Sequence, residues 1–120
     1  MAFSQYIKIP AVVDLKSTNK ETALRELASA LFRSLGMKKH KPLIEEILKR
    51  EESASTFIGQ GLAIPQAKGP IKDEFAIAVG RSIQGVKYDA ARGALAHVIV
   101  LVVAGEHSDS SAQIKLLSEI

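Results

Sequence analysis

Apolar residues recur at two different periods along this chain, and the change of period marks its elements. Ala23, Leu24, Leu27, Ala28, Leu31, Phe32 and Leu35 return at intervals of three and four, which gathers them on one face of a helix. Thr18 followed by Glu21 has the form of a capping box at its start, and Gly36 is a natural stop. Pro42 opens a second helix that ends at Arg50. Leu43, Ile44, Ile47 and Leu48 lie on one side of it, and Glu45, Glu46, Lys49 and Arg50 face water. Before the helices, Val12, Val13 and Leu15 form a short apolar run ended by "KSTNK", which predicts a first strand. After them, "FAIAVGRSI" (75–83) begins with alternation, and "ALAHVIVLVVA" (94–104) is almost continuously apolar. The second pattern predicts a central strand covered on both faces. "GEHSDSS" reads as a loop, with Ser110 or Ser111 capping a last helix that carries Ile114, Leu117 and Ile120. A strand, two helices, several strands and a helix predict a three-layer α/β/α domain with a mixed β-sheet.

Composition narrows what such a domain does. At 120 residues it is one domain with a core of its own. Cysteine is absent, which excludes disulfides and thiolate metal sites. The longest apolar run, Val98 to Ala104, is far short of the roughly 20 residues a membrane helix needs, so direct membrane insertion is not expected. "MAFSQYIKIP" lacks the apolar core of a signal peptide, so a cytoplasmic location, or the cytosolic face of something larger, is expected. The net charge of +3 is loosely concentrated in "KKHK" (38–41), and aromatics make up only 5%. That is too few for a basic, base-stacking surface, so nucleic acid is not expected as a partner. His40, His97 and His107 are widely separated with no acidic cluster beside them, so neither a metal nor a cofactor is expected. His97, inside the apolar strand, reads as a hydrogen-bonded core histidine. The last helix reaches Ile120 without a C-cap, so either it packs hard on the sheet or sequence is missing.

The least ordinary stretch is "IGQGLAIPQAKG" (58–69), where three glycines and a proline surround Gln66. Its glycines are not followed by Gly-Lys-Ser/Thr, so it is a turn-rich segment and not a phosphate loop. Arg50 admits two readings. It is favourable positive charge at a helix C-terminus, or an anion clamp leaning toward Thr56 and Gln66.

"ILKREESASTFIGQGLAIPQAK" (47–68), followed later by "VIVLVVAGEHSDSSAQIKLLSEI", resembles the enzyme IIA domains of the fructose/mannitol type. These belong to the phosphoenolpyruvate-dependent sugar phosphotransferase system and include nitrogen-regulatory paralogues. The resemblance covers nearly the whole chain, and it implies that residues 1–120 are a single enzyme IIA-like domain lacking its C-terminal helices, since members of the family run on for roughly another helix or two. It implies the fold shared with the cytosolic domain of erythrocyte-type anion exchangers, which lacks the chemistry. In the family, the histidine after Ile-Pro accepts a phosphoryl group from the phosphocarrier protein, and a second histidine supports it. The matching positions here are Gln66 and Gln113, while Arg50 and Thr56 match residues of the phosphoryl pocket. A carboxamide has no available nitrogen lone pair, so Gln66 cannot replace imidazole as the acceptor.

The resemblance therefore implies a non-catalytic enzyme IIA-like regulatory or interaction domain, linked to a transporter or regulator. The alternative is a phosphotransferase component for sugar uptake or nitrogen regulation, inactive or altered at residue 66, or using another acceptor such as His107. The implied partners are a transporter, a regulator or the phosphocarrier protein. A small anion held by Arg50, Thr56, Gln66 and Gln113 is compatible with the first reading.

Overall fold

The computed structural model describes residues 3–38, 41–53, 55–89, 93–106 and 110–118. His40, His107 and Ile120 lie outside them. One mixed sheet is assembled around β6 (Ala94–Gly105). On one side, β5 (Phe75–Asp89) runs antiparallel to β6, and β1 (Ile7–Asp14) lies parallel to β5 at the sheet edge. On the other side, β3 (Leu62–Ala63) and β4 (Gln66–Gly69) lie one after the other along β6, both parallel to it. The hairpin strand β2 (Phe57–Gly59) pairs with β3. The expected central strand is found from Ile99 to Gly105, where every residue is buried. Its first five residues, Ala94–Val98, extend past that covered region, and only Ala96 among them is buried.

Helix α1 (Lys20–Ser34) buries Ala23, Leu24, Leu27, Ala28, Leu31 and Phe32, the face that the periodicity predicts. Its cap is one residue later than the capping box suggests. The Asn19 side chain accepts the Thr22 N–H at 2.9 Å, so Thr18 is outside the helix. At the other end Gly36 takes a left-handed φ of 72°, and the Met37 N–H returns to the Phe32 carbonyl, which stops the helix. Helix α2 (Lys41–Ser53) runs three residues beyond Arg50 because its final turn is anchored: Glu51 is buried and bonded to Thr56. Both helices pack on one face of the sheet, over Ala76, Ala78, Ile99, Leu101 and Val103.

The opposite face, with Phe75, Ile77, Val100 and Val102, is covered by α3 (Ser110–Leu117) and a short 3-10 turn at Phe3–Tyr6. The Tyr6 and Phe75 rings meet edge to face at 5.3 Å. Three layers result, as expected. The face of α3 differs from the expected one: Leu116 is 1% exposed, whereas Ile114 is 69% exposed. Position 116, with Ala112 and Leu117 beside it, is what the sheet accepts.

The stretch read as turn-rich holds three short strands. The β2–β3 connection is the two-residue loop Gln60–Gly61, with φ of 54° and 78°, the signature of a type I′ turn whose twist suits a hairpin. Gln60 is the only described non-glycine residue with positive φ. At the sheet edge, β1 contains Pro10, which offers no N–H, and its register shifts between Ile7 and Val12. Both features discourage pairing with another chain.

The Gln60 conformation gives a direct test. A left-handed residue other than glycine or asparagine costs about 1 kcal/mol, and asparagine is favoured at this turn position. Gln60→Asn is expected to raise the unfolding free energy by about 0.5 kcal/mol, read from the urea midpoint at unchanged slope. A lower midpoint would show that the glutamine side chain stabilises the turn by another contact.

Candidate functional site

Gln66 opens β4 directly after Pro65. Its neighbour across the parallel ladder is Val102, so its side chain points to the face covered by α3. The Pro65 carbonyl accepts the Val102 N–H at 2.9 Å, which fixes the start of the strand. Gln66 is half-buried. Its Nε2 donates to the Ile64 carbonyl at 3.3 Å, and its Oε1 accepts from Gln113 Nε2 at 3.4 Å. Gln113 precedes Leu116 and Leu117 by three and four positions, so the anchoring that exposes Ile114 turns Gln113 toward the sheet. The two glutamines therefore form a neutral, non-titrating amide pair.

Arg50 and Thr56 approach differently. Arg50 is on the water-facing side of α2, beside a shallow groove lined by Pro42, Glu45, Glu46, Lys49 and Ser53. Helix α2, which carries Arg50, covers the face of the sheet opposite the one that α3 and Gln113 cover. Thr56 is buried and turned inward. Its hydroxyl donates to Glu51 Oε1 and lies 3.1 Å from the Tyr88 hydroxyl, and its N–H donates to Glu51 Oε2 at 3.2 Å. Lys20 Nζ completes the cluster, 2.9 Å from Glu51 Oε2 and 4.5 Å from the Tyr88 ring centre. The structure thus unites Gln66 with Gln113 and engages the Thr56 hydroxyl elsewhere.

Sequence reasoning passed over Glu51, whose side chain is 3% exposed. The signal was there: Ile44, Ile47 and Glu51 are spaced three and four apart, so a carboxylate falls on the apolar face of α2. Lys20 and Tyr88 carry no local signal, because a long-range fold brings them to it. Burial is the main reason the Tyr88 hydroxyl is held well above the ordinary tyrosine range; the Thr56 bond opposes this and the Glu51 carboxylate reinforces it.

His97 is not a core histidine. It is exposed, with Nδ1 2.9 Å from the Ser82 carbonyl, where β5 bulges between Arg81 and Val86. Added Cβ atoms on Gly61 and Gly85 would stand 3.3 and 3.0 Å from its ring, so two glycines make room for it. The bulge breaks the β5–β6 register, and His97 is exposed there although its neighbour Ala96 is buried in the helix-covered core.

The family model described as "Phosphoenolpyruvate-dependent sugar phosphotransferase system, EIIA 2" matches residues 8–120. The chain belongs to this EIIA family. The fructose-specific EIIABC component of the phosphotransferase system of Bacillus subtilis (strain 168) is 34% identical over 99 residues. The match covers 82% of this chain and 16% of the Bacillus protein, so the chain spans about a sixth of that relative's length. The nitrogen regulatory protein IIA-Ntr of Neisseria meningitidis superposes with a TM-score of 0.82 at 24% identity, covering 96% of this chain and 78% of that one. The mannitol IIA of Escherichia coli gives 0.64 at 18% identity, covering 93% and 76%. These two likenesses establish the fold. No helix among the described residues is long and apolar enough to cross a membrane.

The buried tyrosine of this EIIA domain sets a pH dependence. Its folded-state pKa is raised, so its contribution is complete while an unfolded tyrosine stays protonated, below a pH of about 10. Above that pH the unfolded chain ionises where the folded chain resists, and stability falls. The difference in unfolding free energy between wild type and Tyr88→Phe is expected to shrink by up to about 1.4 kcal/mol per pH unit above 10. Denaturation at a series of pH values measures it. A difference that stays constant to pH 11 would place the Tyr88 hydroxyl in contact with water.

Proposed function

We propose that this EIIA-type domain docks and regulates a protein partner and does not relay a phosphoryl group through residue 66. The observation that carries the reading is the amide pair. At the position where the family resemblance puts the phosphoacceptor, Gln66 has its carbonyl accepting from Gln113 and its amide donating to Ile64. A phosphoryl acceptor must present a nucleophilic lone pair and later release the group. Imidazole does both, whereas the carboxamide nitrogen has its lone pair delocalised into the carbonyl. Glutamine retains one donor and one acceptor function, enough to keep a half-buried polar site paired.

The partner classes are a sugar transporter, a regulator or the phosphocarrier protein. The Bacillus relative is named as an EIIABC component, which supports attachment to, or association with, the other parts of a transport system at the cytosolic face of a membrane. The name of the Neisseria neighbour supports the regulatory branch. Arg50, in the last turn of α2, is the family-matched cation proposed to meet an anionic partner group or a small anion.

Incubation with phosphoenolpyruvate, enzyme I and the phosphocarrier protein, read by intact mass, is the test. The unchanged chain is expected to gain no phosphoryl group while its resonances around Gln66 shift on adding the carrier. The double variant Gln66→His with Gln113→His is expected to gain one acid-labile group. Stoichiometric phosphorylation of the unchanged chain would replace this reading with that of a working phosphotransferase component using another acceptor.

A further inference from the structure

The Glu51 cluster and the Gln66–Gln113 pair are joined by an unbroken series of polar contacts. Lys20 holds one oxygen of the Glu51 carboxylate, and that carboxylate accepts both the N–H and the hydroxyl of Thr56. The Thr56 carbonyl accepts the Ile64 N–H at 3.1 Å. The Ile64 carbonyl then accepts from Gln66, and Gln66 accepts from Gln113. Three elements that do not adjoin in sequence, the start of α1, the end of α2 and the start of α3, are thereby tied to one short segment.

The magnitudes say which end governs. Glu51 is a charged acceptor bonded at both oxygens inside the protein, and charge-assisted bonds are about twice as strong as neutral ones. The bonds at the far end are neutral and long, 3.3 and 3.4 Å, and each stabilises little by itself. Between the ends the backbone has little freedom. Thr56 is pinned at its amide and its hydroxyl, which fixes where its carbonyl points. Ile64 precedes a proline, which restricts its own dihedrals, and Pro65 has a fixed φ. The direction of the Ile64 carbonyl is therefore set by where Thr56 holds the Ile64 N–H.

We propose that Glu51 is the positioning residue for the Gln66–Gln113 pair, acting through Thr56 and the Ile64 backbone. Neither Glu51 nor Tyr88 touches the amides. The cluster decides where the Gln66 carboxamide can lie, and so which polar group of a partner it meets. The inference rests on the reading of the amide pair as the docking point, but its test is made on the free protein and stands apart from it.

Nitrogen–proton correlation spectra report the side-chain amides of Gln66 and Gln113 directly. Thr56→Val keeps the side-chain shape and removes the hydroxyl. It is expected to move both carboxamide signals and to speed exchange of the Ile64 amide roughly three- to tenfold, the loss of about one hydrogen bond. Thr56→Ser, which restores a hydroxyl, is expected to return both readouts toward wild type. Tyr88→Phe retains the ring beside Lys20 and removes the hydroxyl that bonds Thr56 and Glu51. It is expected to move the same signals less, which keeps the proposal exposed if Thr56→Val does not fold. Ser82→Ala is the control, since it removes a buried side-chain bond to Gly85 in the β5 bulge, away from the amide pair. If the carboxamide signals stay fixed in the folded Thr56 and Tyr88 variants, or move as far in Ser82→Ala, the proposal is overturned. Failure of the phosphocarrier to shift the wild-type signals would instead remove the docking reading and leave the positioning intact.

Discussion

Nearly everything in this fold is attached to β6, and β6 must be apolar on both faces to be there. β5, β3 and β4 all take hydrogen bonds from it, and two separate cores form against its two sides. The constraint is that a strand covered twice has no face on which to place a polar side chain. Polar groups near it are therefore confined to where its cover ends. That is where His97 stands at one extremity, and the edge strand β4, alongside the covered stretch, is where Gln66 stands. Gly105, at the last position of β6, lets the chain pass close beneath the preceding loop, since a Cβ there would stand 2.5 Å from the Asp73 carbonyl.

How much of this was legible depends on whether the signal was local. Helix α1 was, because seven apolar residues share one period, and only its cap moved from Thr18 to Asn19, two residues of similar capping ability. The covered stretch of β6 was legible from its composition alone. The strands β2, β3 and β4 were not, because two to four residues cannot show a period, and long-range pairing with β6 is what makes them strands. The last helix was read with Ile114 inward because an eight-residue segment allows two apolar faces. The sheet chose the one bearing Leu116, and that choice delivers Gln113 to Gln66. His97 was misread because apolar neighbours in sequence say nothing about where the covering helices stop.

Membership in the EIIA family and likeness to two solved IIA proteins fix the scaffold without fixing the chemistry. The two amides that the sequence resemblance singles out, Gln66 and Gln113, meet in space. Replacing one histidine of a pair by an amide would leave an imidazole beside it free to titrate. With an amide at both, neither side chain titrates, and Gln113 Nε2 donates to Gln66 Oε1 while Gln66 Nε2 donates to the Ile64 carbonyl.

The contacts of Thr56 have a physical explanation in the buried carboxylate beside it. Glu51 is almost wholly buried, and a carboxylate there is tolerated only with its lone pairs occupied. Removing one partner from a buried ion pair costs on the order of 3 kcal/mol, the lower end applying here because Lys20 remains 26% exposed. Against a total stability of about 5–15 kcal/mol, that is enough to hold Lys20, Thr56 and Tyr88 in place whatever happens at residue 66. Their arrangement meets the requirements of a buried charge. The contacts around Glu51 answer to the burial of a charge, whereas those of Gln66 and Gln113 are made between neutral groups.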